Sequence, residues 1–192
     1  WRKQVTRIYT RTGDDGTTGQ AGGGRTNKDS LLIETCGQLD ELNAMIGVVR
    51  SSPIPEKADR VLALVQNELF AVGAEIMDPE GTARKGACMN AEKVENLERE
   101  IDALEKELEP LRKFILPGGA REAAEMHLTR AVARRVERRC VAVSRIQKVS
   151  PQVLCYINRL SDLFFVLARY LNRHRGVAEP QLSPTGSWLG GA

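Results

Sequence analysis

The stretch that decides the fold is PQVLCYINRLSDLFFVLARYL, residues 151–171. Its apolar side chains recur at alternating spacings of three and four residues, which is the period of an α-helix. One stripe comprises Leu154, Ile157, Ser161, Phe164, Ala168 and Leu171, and Leu160, Leu163, Val166 and Leu167 widen it. A stripe this wide predicts a helix buried against several neighbours. Ser150 suits the N-cap and Pro151 the first helical position, so we predict that the helix starts there.

Four segments upstream repeat this helical period. Their apolar stripes cover residues 39–49, 58–76, 94–108 and about 121–147. Asn90 is a plausible N-cap for the third of these helices, and Pro110 would end it. With no strand pattern found, we predict an all-α fold, an antiparallel five-helix bundle with ferritin-like up-down packing. The predicted segments are an irregular N-terminal loop at 1–30, the bundle at 31–176 and an irregular tail at 177–192.

The composition is that of an ordinary globular chain. Of its 192 residues, 42% are hydrophobic, and the formal net charge of +3 is too small to argue for nucleic-acid binding. The four cysteines lack C-x-x-C spacing, which favours a reducing compartment over a zinc site or a disulfide framework. No apolar run approaches the roughly 20 residues that cross a bilayer. We expect a cytoplasmic protein, or a mitochondrial matrix protein if a targeting segment was trimmed.

A polar segment near the N-terminus, residues 9–19, reads YTRTGDDGTTG. It has almost no apolar residue after Tyr9, so it cannot form a core face. Glycines let the backbone approach a ligand closely, successive N–H groups form anion sites, and threonine hydroxyls and Arg11 add donors. The segment therefore suits phosphates, whereas its aspartates require a cation or an arginine between them and a phosphate. A solvated terminal tail is the alternative, and the spacing matches neither a Walker loop nor a dinucleotide fingerprint.

The densest positive charge lies in the fourth predicted helix. At about 100° per residue, Arg130, Arg134 and Arg138 fall in one row on the face opposite its apolar stripe. Such a row repels itself, which indicates that negative charge lies nearby. A solvated charged face, a subunit interface and a phosphate site are all compatible with the row. RNA binding is disfavoured because aromatic residues are not interleaved with the arginines.

Three polar side chains fall at positions where the helical pattern predicts burial or pairing. Arg139 is predicted to point into the apolar stripe, where it would need a carboxylate such as Asp40 or Asp162. Asn158 and Asp162 lie one turn apart within an otherwise apolar stretch. They are compatible with an internal hydrogen-bond network, and Asn158 is equally compatible with reaching a ligand or metal.

The connection between the third and fourth helices contains FILPGG at residues 114–119. This apolar loop is compatible with a buried linker. An exposed Phe114 before Pro-Gly-Gly would instead suit a rigid wall for a flat ligand.

Six motifs occur along the chain in a fixed order. They are TRTGDDGTT at 10–18, KD at 28–29, LDELN at 39–43, FILPGG at 114–119, RRVERR at 134–139 and NRLSD at 158–162. Together they resemble the PduO-type ATP:cob(I)alamin adenosyltransferases over about residues 7–175. The resemblance implies a five-helix bundle that assembles as a homotrimer, with active sites between neighbouring subunits.

The resemblance also implies roles for individual residues. ATP would be bound by Thr10, Arg11, Thr12, Gly13, Thr18, Gly19, Lys28, Arg134, Arg135, Val136, Glu137, Arg138 and Asn158. Arg134, Asn158 and Phe114 are expected to be catalytic, with Phe114 packing at the lower face of the cobalt in cobalamin. Asp40 is expected to pair with Arg130 or Arg134 of the adjacent subunit. Gly19 stands where some members carry a hydroxyl, so that contact stays open.

The implied reaction moves the 5′-deoxyadenosyl group of ATP to the cobalt of cob(I)alamin and releases triphosphate. Mg²⁺ would enter mainly through the ATP phosphates, with Asn158 as a candidate contact. A reductase acting on cob(II)alamin and an adenosylcobalamin-dependent acceptor enzyme are the expected partners, whereas nucleic acid and membrane are not. The alternatives are a non-catalytic ATP-sensing or cobalamin-carrying bundle and a purely structural oligomer.

Overall fold

The computed structural model of the chain describes residues 7–20, 23–81 and 88–182. Within these ranges it contains five α-helices and one short antiparallel hairpin. The elements are β1 (Thr17–Gly19), β2 (Arg25–Asn27), α1 (Leu31–Arg50), α2 (Glu56–Met77), α3 (Ala91–Glu105), α4 (Arg121–Val143) and α5 (Pro151–His174). The predicted all-α, five-helix fold is confirmed, and the hairpin is an addition that the sequence pattern did not predict.

Side-chain caps set the starts of three helices. The Ser30 hydroxyl accepts from the Ile33 amide at 3.4 Å, and the Ser150 hydroxyl accepts from the Val153 amide at 3.3 Å. Asn90 Oδ1 accepts from the Lys93 amide at 3.0 Å, as predicted. These bonds satisfy amides that have no intrahelical partner. Helices α3 and α4 end earlier than predicted, at Glu105 and Val143, and each is followed by non-helical turns.

Helix α5 is the centre of the bundle. It packs against α4 on one side and α3 on the other, while α1 lies between α4 and α2. Of its 24 residues, 13 are buried, so apolar contacts surround most of the helix. Tyr156 and Phe164 are among the largest fully buried side chains of the protein. The broad stripe predicted for residues 151–171 is therefore the main core surface.

The N-terminal hairpin lies outside this core. Thr17 pairs with Asn27, Thr18 with Thr26, and Gly19 with Arg25. None of the residues described between 7 and 30 is buried. The strands are three residues each, too short to produce the alternation by which strands are predicted.

Two further features are the state of the cysteine thiols and whether any helix could span a membrane. All four cysteines are free, and burial raises the pKa of Cys140 to about 12 and that of Cys36 to about 11. Over the described ranges, no helix has the length and apolar character needed to span a bilayer. The predicted terminal segments lie partly outside the described residues, at 1–6 and 183–192.

Candidate functional site

The N-terminal loop is shaped by side chains of its own hairpin. Lys28 Nζ donates to the Gly13 carbonyl at 2.7 Å, and the Arg25 guanidinium donates to the Thr12 carbonyl. Arg25 Nε also donates to the Thr17 hydroxyl at 2.8 Å. Arg25 therefore donates hydrogen bonds to both sides of the turn, and Lys28 donates one to Gly13 within it. Arg25 was not among the predicted site residues, because its role depends on hairpin pairing that the sequence did not indicate.

Asp15 stabilises this turn through its carboxylate. Its Oδ1 accepts from the Thr17 amide at 2.9 Å and from the Thr17 hydroxyl at 2.8 Å, and it lies 3.5 Å from Arg25 Nη2. These hydrogen bonds to Thr17 lower the pKa of Asp15 below its usual 3.8. Asp15 is thus a structural carboxylate of the turn. Arg25 is the nearby arginine that the sequence analysis expected to accompany these aspartates.

The remaining loop residues are open to solvent. Arg11 has a positive φ of 60°, an uncommon conformation for a non-glycine residue, and its guanidinium lies 5.3 Å from the Tyr9 ring centroid. The Thr10 and Thr12 hydroxyls are 2.9 Å apart. Thr18 is half-buried and Gly19 is exposed within β1. The loop therefore presents arginine, lysine and hydroxyl donors on one exposed turn.

The arginines of α4 separate into two groups. Arg135 pairs with Glu41 of α1, and Arg139 lies 4.0 Å from Glu34 of α1. Arg130, Arg134 and Arg138 form no ion pair with any residue that the structure describes. The predicted row is therefore present, and it is distinct from the two arginines that pair with α1.

One sequence prediction about α4 needs correction. Arg139 is exposed and approaches Glu34, so it does not enter the core and pairs with neither Asp40 nor Asp162. It lies at the margin of the α1–α4 contact, where a long side chain reaches solvent while its stem covers apolar surface. Val136, which the resemblance assigns to the ATP site, is fully buried, so its side chain faces the core and not the arginine row.

Helix α5 brings two polar groups to the edge of this row. Asn158 Nδ2 donates to Glu137 Oε1 at 2.7 Å, and both groups are accessible to solvent. Asp162 is exposed and accepts from Arg159 at 3.2 Å. The structure therefore places Asn158 and Glu137 together, beside Arg134 and Arg138 in the α4 sequence.

A groove of about 550 Å³ opens where α3, α4 and α5 meet. Arg130, Arg134 and Phe165 line its α4–α5 side, and Glu98 and Asp102 of α3 line the other. The Arg130 guanidinium lies 6.0 Å from the Phe165 ring centroid, while its Nε is buried without a hydrogen-bond partner. The groove therefore combines an aromatic wall with unused guanidinium donors.

Phe114 lies on the loop between α3 and α4, and its side chain is 82% exposed. The buried-linker interpretation of residues 114–119 is therefore wrong. The Phe114 carbonyl accepts from the Leu182 amide at 2.9 Å, and the Leu116 amide donates to the Pro180 carbonyl at 2.7 Å. A backbone held by these hydrogen bonds thus carries a largely exposed aromatic side chain, which suits a wall for a flat ligand.

The predicted residues form two separate clusters in one chain. The first comprises Thr10 to Gly13 with Lys28, and the second comprises the arginine row with Glu137 and Asn158. No hydrogen bond or ion pair between described residues joins them. Asp40 is exposed and likewise has no ion-pair partner among them. These features define the class of protein: a helical bundle with an exposed aromatic loop and two surfaces whose cationic side chains suit anions.

Known proteins are similar to this chain in both sequence and fold. The family model for cobalamin adenosyltransferase matches residues 8–171. A corrinoid adenosyltransferase of Bacillus subtilis is 42% identical over 177 residues, covering 90% of each chain. A cobalamin adenosyltransferase of Cupriavidus metallidurans is 42% identical over 174 residues, covering 90% of this chain and 92% of its own.

A solved structure extends the likeness to three dimensions. It is a phenylalanine-to-alanine variant of the PduO-type ATP:corrinoid adenosyltransferase from Lactobacillus reuteri, complexed with cobalamin and ATP. It superposes with a TM-score of 0.83 at 32% identity and covers 92% of this chain and 99% of its own. The chain belongs to the cobalamin adenosyltransferase family.

Proposed function

We propose that this chain transfers the 5′-deoxyadenosyl group of ATP to the cobalt of cob(I)alamin and releases triphosphate. The observation that carries the proposal is the row of Arg130, Arg134 and Arg138, which have no ion-pair partner among the described residues, together with the family to which the chain belongs. A triphosphate carries several negative charges, and guanidinium groups bind phosphate oxygens as two-pronged donors.

The bond changes require little acid–base chemistry from the protein. The electron pair of Co(I) forms the cobalt–carbon bond at C5′, and the C5′–oxygen bond breaks with its electron pair leaving on triphosphate. Catalysis then consists of holding C5′ in line with the cobalt and stabilising charge on the leaving group. We assign the second task mainly to Arg134, which is exposed and without an ion-pair partner among the described residues. Asn158 would hold the nucleotide from α5.

Mg²⁺ is proposed to arrive with the nucleotide. The loop and the arginine row offer donors to phosphate oxygens, whereas a Mg²⁺ ion prefers phosphate, carboxylate and water oxygens. Asn158 carries an amide oxygen at the edge of the row, and its amide nitrogen is already engaged by Glu137. The ion would thus be bound chiefly by the substrate.

The complete site is proposed to form between subunits of a homotrimer. No hydrogen bond or ion pair between described residues joins the two clusters, which is compatible with an ATP held by one cluster from each of two copies. Asp40 and Arg130 both lack an ion-pair partner among the described residues, which supports a salt bridge from one subunit to the next. The buried Arg130 Nε is an additional donor that has no hydrogen-bond partner among the described residues.

Phe114 is proposed to contact the corrinoid. Its exposed ring would pack at the lower face of the cobalt and keep the lower axial ligand away. Removing that ligand makes Co(II) easier to reduce, an effect of axial coordination on redox potential. A reductase would supply the electron, and an adenosylcobalamin-dependent enzyme would accept the product.

The proposal is tested by mixing the protein with ATP, Mg²⁺ and chemically reduced cobalamin. We expect a light-sensitive alkyl-cobalt spectrum to develop catalytically. ATP binding without product would identify the sensing alternative, cobalamin binding without product would identify the carrier, and binding of neither would leave a structural oligomer. The free thiols are compatible with the proposed cytoplasmic or matrix location.

A further inference from the structure

We propose that Asn172, assisted by Arg169, is the positioning residue that fixes Phe114 in place for the corrinoid. Both are polar residues of α5 in its buried C-terminal half, and their exposures are 1% and 6%. Among the described residues, neither forms a hydrogen bond with Phe114. Their contacts are with the two ends of the loop that carries it.

Asn172 fixes the end of the loop that leads into α4. Its Oδ1 accepts from the Ala120 amide at 2.8 Å, and its Nδ2 donates to the Gly118 carbonyl at 3.0 Å. Ala120 is the N-cap position of α4 and provides no capping side chain, so Asn172 supplies a bond that a local cap cannot. One buried amide thus satisfies a donor and an acceptor of the same turn.

The turn is shaped to receive this side chain. Gly119 has a φ of 104°, and a Cβ at that position would overlap the Asn172 amide group. Glycine therefore meets two demands there, a left-handed backbone and the close approach of a buried side chain. The mutual fit of Gly119 and Asn172 leaves the loop little freedom to shift.

Arg169 fixes the other end. Its Nη2 donates to the Glu109 carbonyl at 2.7 Å, at the start of the loop after α3. Its Nε donates to Glu179 at 2.9 Å, and Glu179 precedes the segment that pairs with Phe114 and Leu116. Arg169 therefore links α5, the loop and the segment beyond α5, which together support the backbone of Phe114.

The inference rests on the proposed function for its catalytic meaning, because Phe114 is assigned there to the corrinoid. It predicts that loosening the loop affects the Co(II) step more than the attack by preformed Co(I). A misplacement of about 1 Å in a positioned group can cost up to roughly a hundredfold in rate. A general loss of stability would instead lower both activities together.

The test compares Asn172→Ala with Tyr156→Phe. Tyr156 is also a buried α5 residue, and its hydroxyl donates to Glu68 of α2 at 2.6 Å and not to the Phe114 loop. Each variant loses buried hydrogen bonding of α5, and only Asn172→Ala releases the loop. Gly119→Ala disturbs the same contact from the other side and serves as a second variant.

Two readouts are recorded. The first is the rate of tryptic cleavage after Arg112 and Lys113, identified by mass spectrometry, which reports loop order without any turnover. The second is the ratio of adenosylation rates starting from Co(II) with a reductant and from preformed Co(I), relative to Phe114→Ala.

We expect Asn172→Ala and Gly119→Ala to accelerate cleavage and to lower the ratio about tenfold or more, with Tyr156→Phe unchanged in both. Unchanged cleavage in Asn172→Ala and Gly119→Ala, or faster cleavage with an unchanged ratio, would overturn the inference. If wild-type protein forms no product even from Co(I), the proposed function fails, and unequal cleavage still decides whether Asn172 orders the loop.

Discussion

The N-terminal segment at 7–30 and the α4–α5 pair both carry proposed substrate contacts, but they are stabilised in opposite ways. The segment has no buried residue among those described, and exposed bonds from Arg25 and Lys28 hold it. The α4–α5 pair positions its groups on two helices of the core, and Asn172 and Arg169 extend that support to Phe114. The comparison leads us to expect that the α4–α5 half of the site is preformed and that the N-terminal half is adaptable and becomes ordered when a ligand binds.

The largest effect is expected from the preformed half. Arg134→Ala should lower turnover by about a hundredfold to a thousandfold, because it removes a fixed donor from the charge of the departing triphosphate. The thermal unfolding midpoint should stay close to wild type, since Arg134 is exposed and has no ion-pair partner among the described residues. Steady-state kinetics and thermal unfolding measure the two quantities. Arg139→Ala, which alters an exposed arginine paired with Glu34, is the matched control.

A smaller effect should follow from straining the loop that α5 supports. Gly119→Ala should lower the free energy of unfolding by about 1–3 kcal/mol, because alanine resists the positive φ and collides with Asn172. Denaturant titration measures the change. Gly16→Ala provides the contrast, since Gly16 also has a positive φ but its Cβ would meet open space. Equal losses for the two variants would show that backbone conformation alone, without Asn172, explains the sensitivity.

A substitution in the adaptable half should lower ATP affinity and hardly change the free energy of unfolding. Arg25→Ala removes two exposed hydrogen bonds, each worth about 1 kcal/mol, so we expect ATP affinity to fall by roughly fivefold if one of them supports binding and roughly thirtyfold if both do. The free energy of unfolding should change by less than about 0.5 kcal/mol. Calorimetric titration with ATP and denaturant unfolding measure these effects. A large loss of stability would mean that the segment is part of the cooperative core.

The smallest effect is a difference in response to pH. Burial, and then the positive charge of Arg130, lower the pKa of His127 below its ordinary 6.5, whereas Glu179 opposes this weakly. The unfolded chain therefore binds a proton more readily, and stability contributed by neutral His127 is lost as the pH falls below about 6.5. Unfolding between about pH 7.5 and 5.5 should show a smaller loss in His127→Gln than in wild type. His174→Gln changes the exposed histidine and should behave like wild type.

The sequence predicted the preformed half far better than the adaptable one. Helical period and the caps at Asn90 and Ser150 locate α3 and α5, because apolar spacing reports burial directly. The hairpin escaped prediction because its strands are too short for a pattern. Arg139 was misplaced because residues at the margin of an apolar stripe reach solvent with long side chains.

Asn172 escaped prediction for a different reason. Near the end of α5 it resembles an ordinary surface amide, and only the folded path of residues 118–120 gives it partners. Arg169 likewise reads as a surface charge until Glu109 and Glu179 are brought to it. Contacts between a single polar residue and partners that are distant in the chain produce no periodic pattern in the sequence.

The measurement that tests the account most directly is phosphorus NMR of a reaction containing ATP, Mg²⁺ and preformed cob(I)alamin. Adenosyl transfer predicts one intact triphosphate for each cobalt–carbon bond formed, with no ADP. Appearance of ADP and inorganic phosphate, or of no phosphorus product at all, would contradict the proposed reaction and leave the two anion-binding clusters with another role.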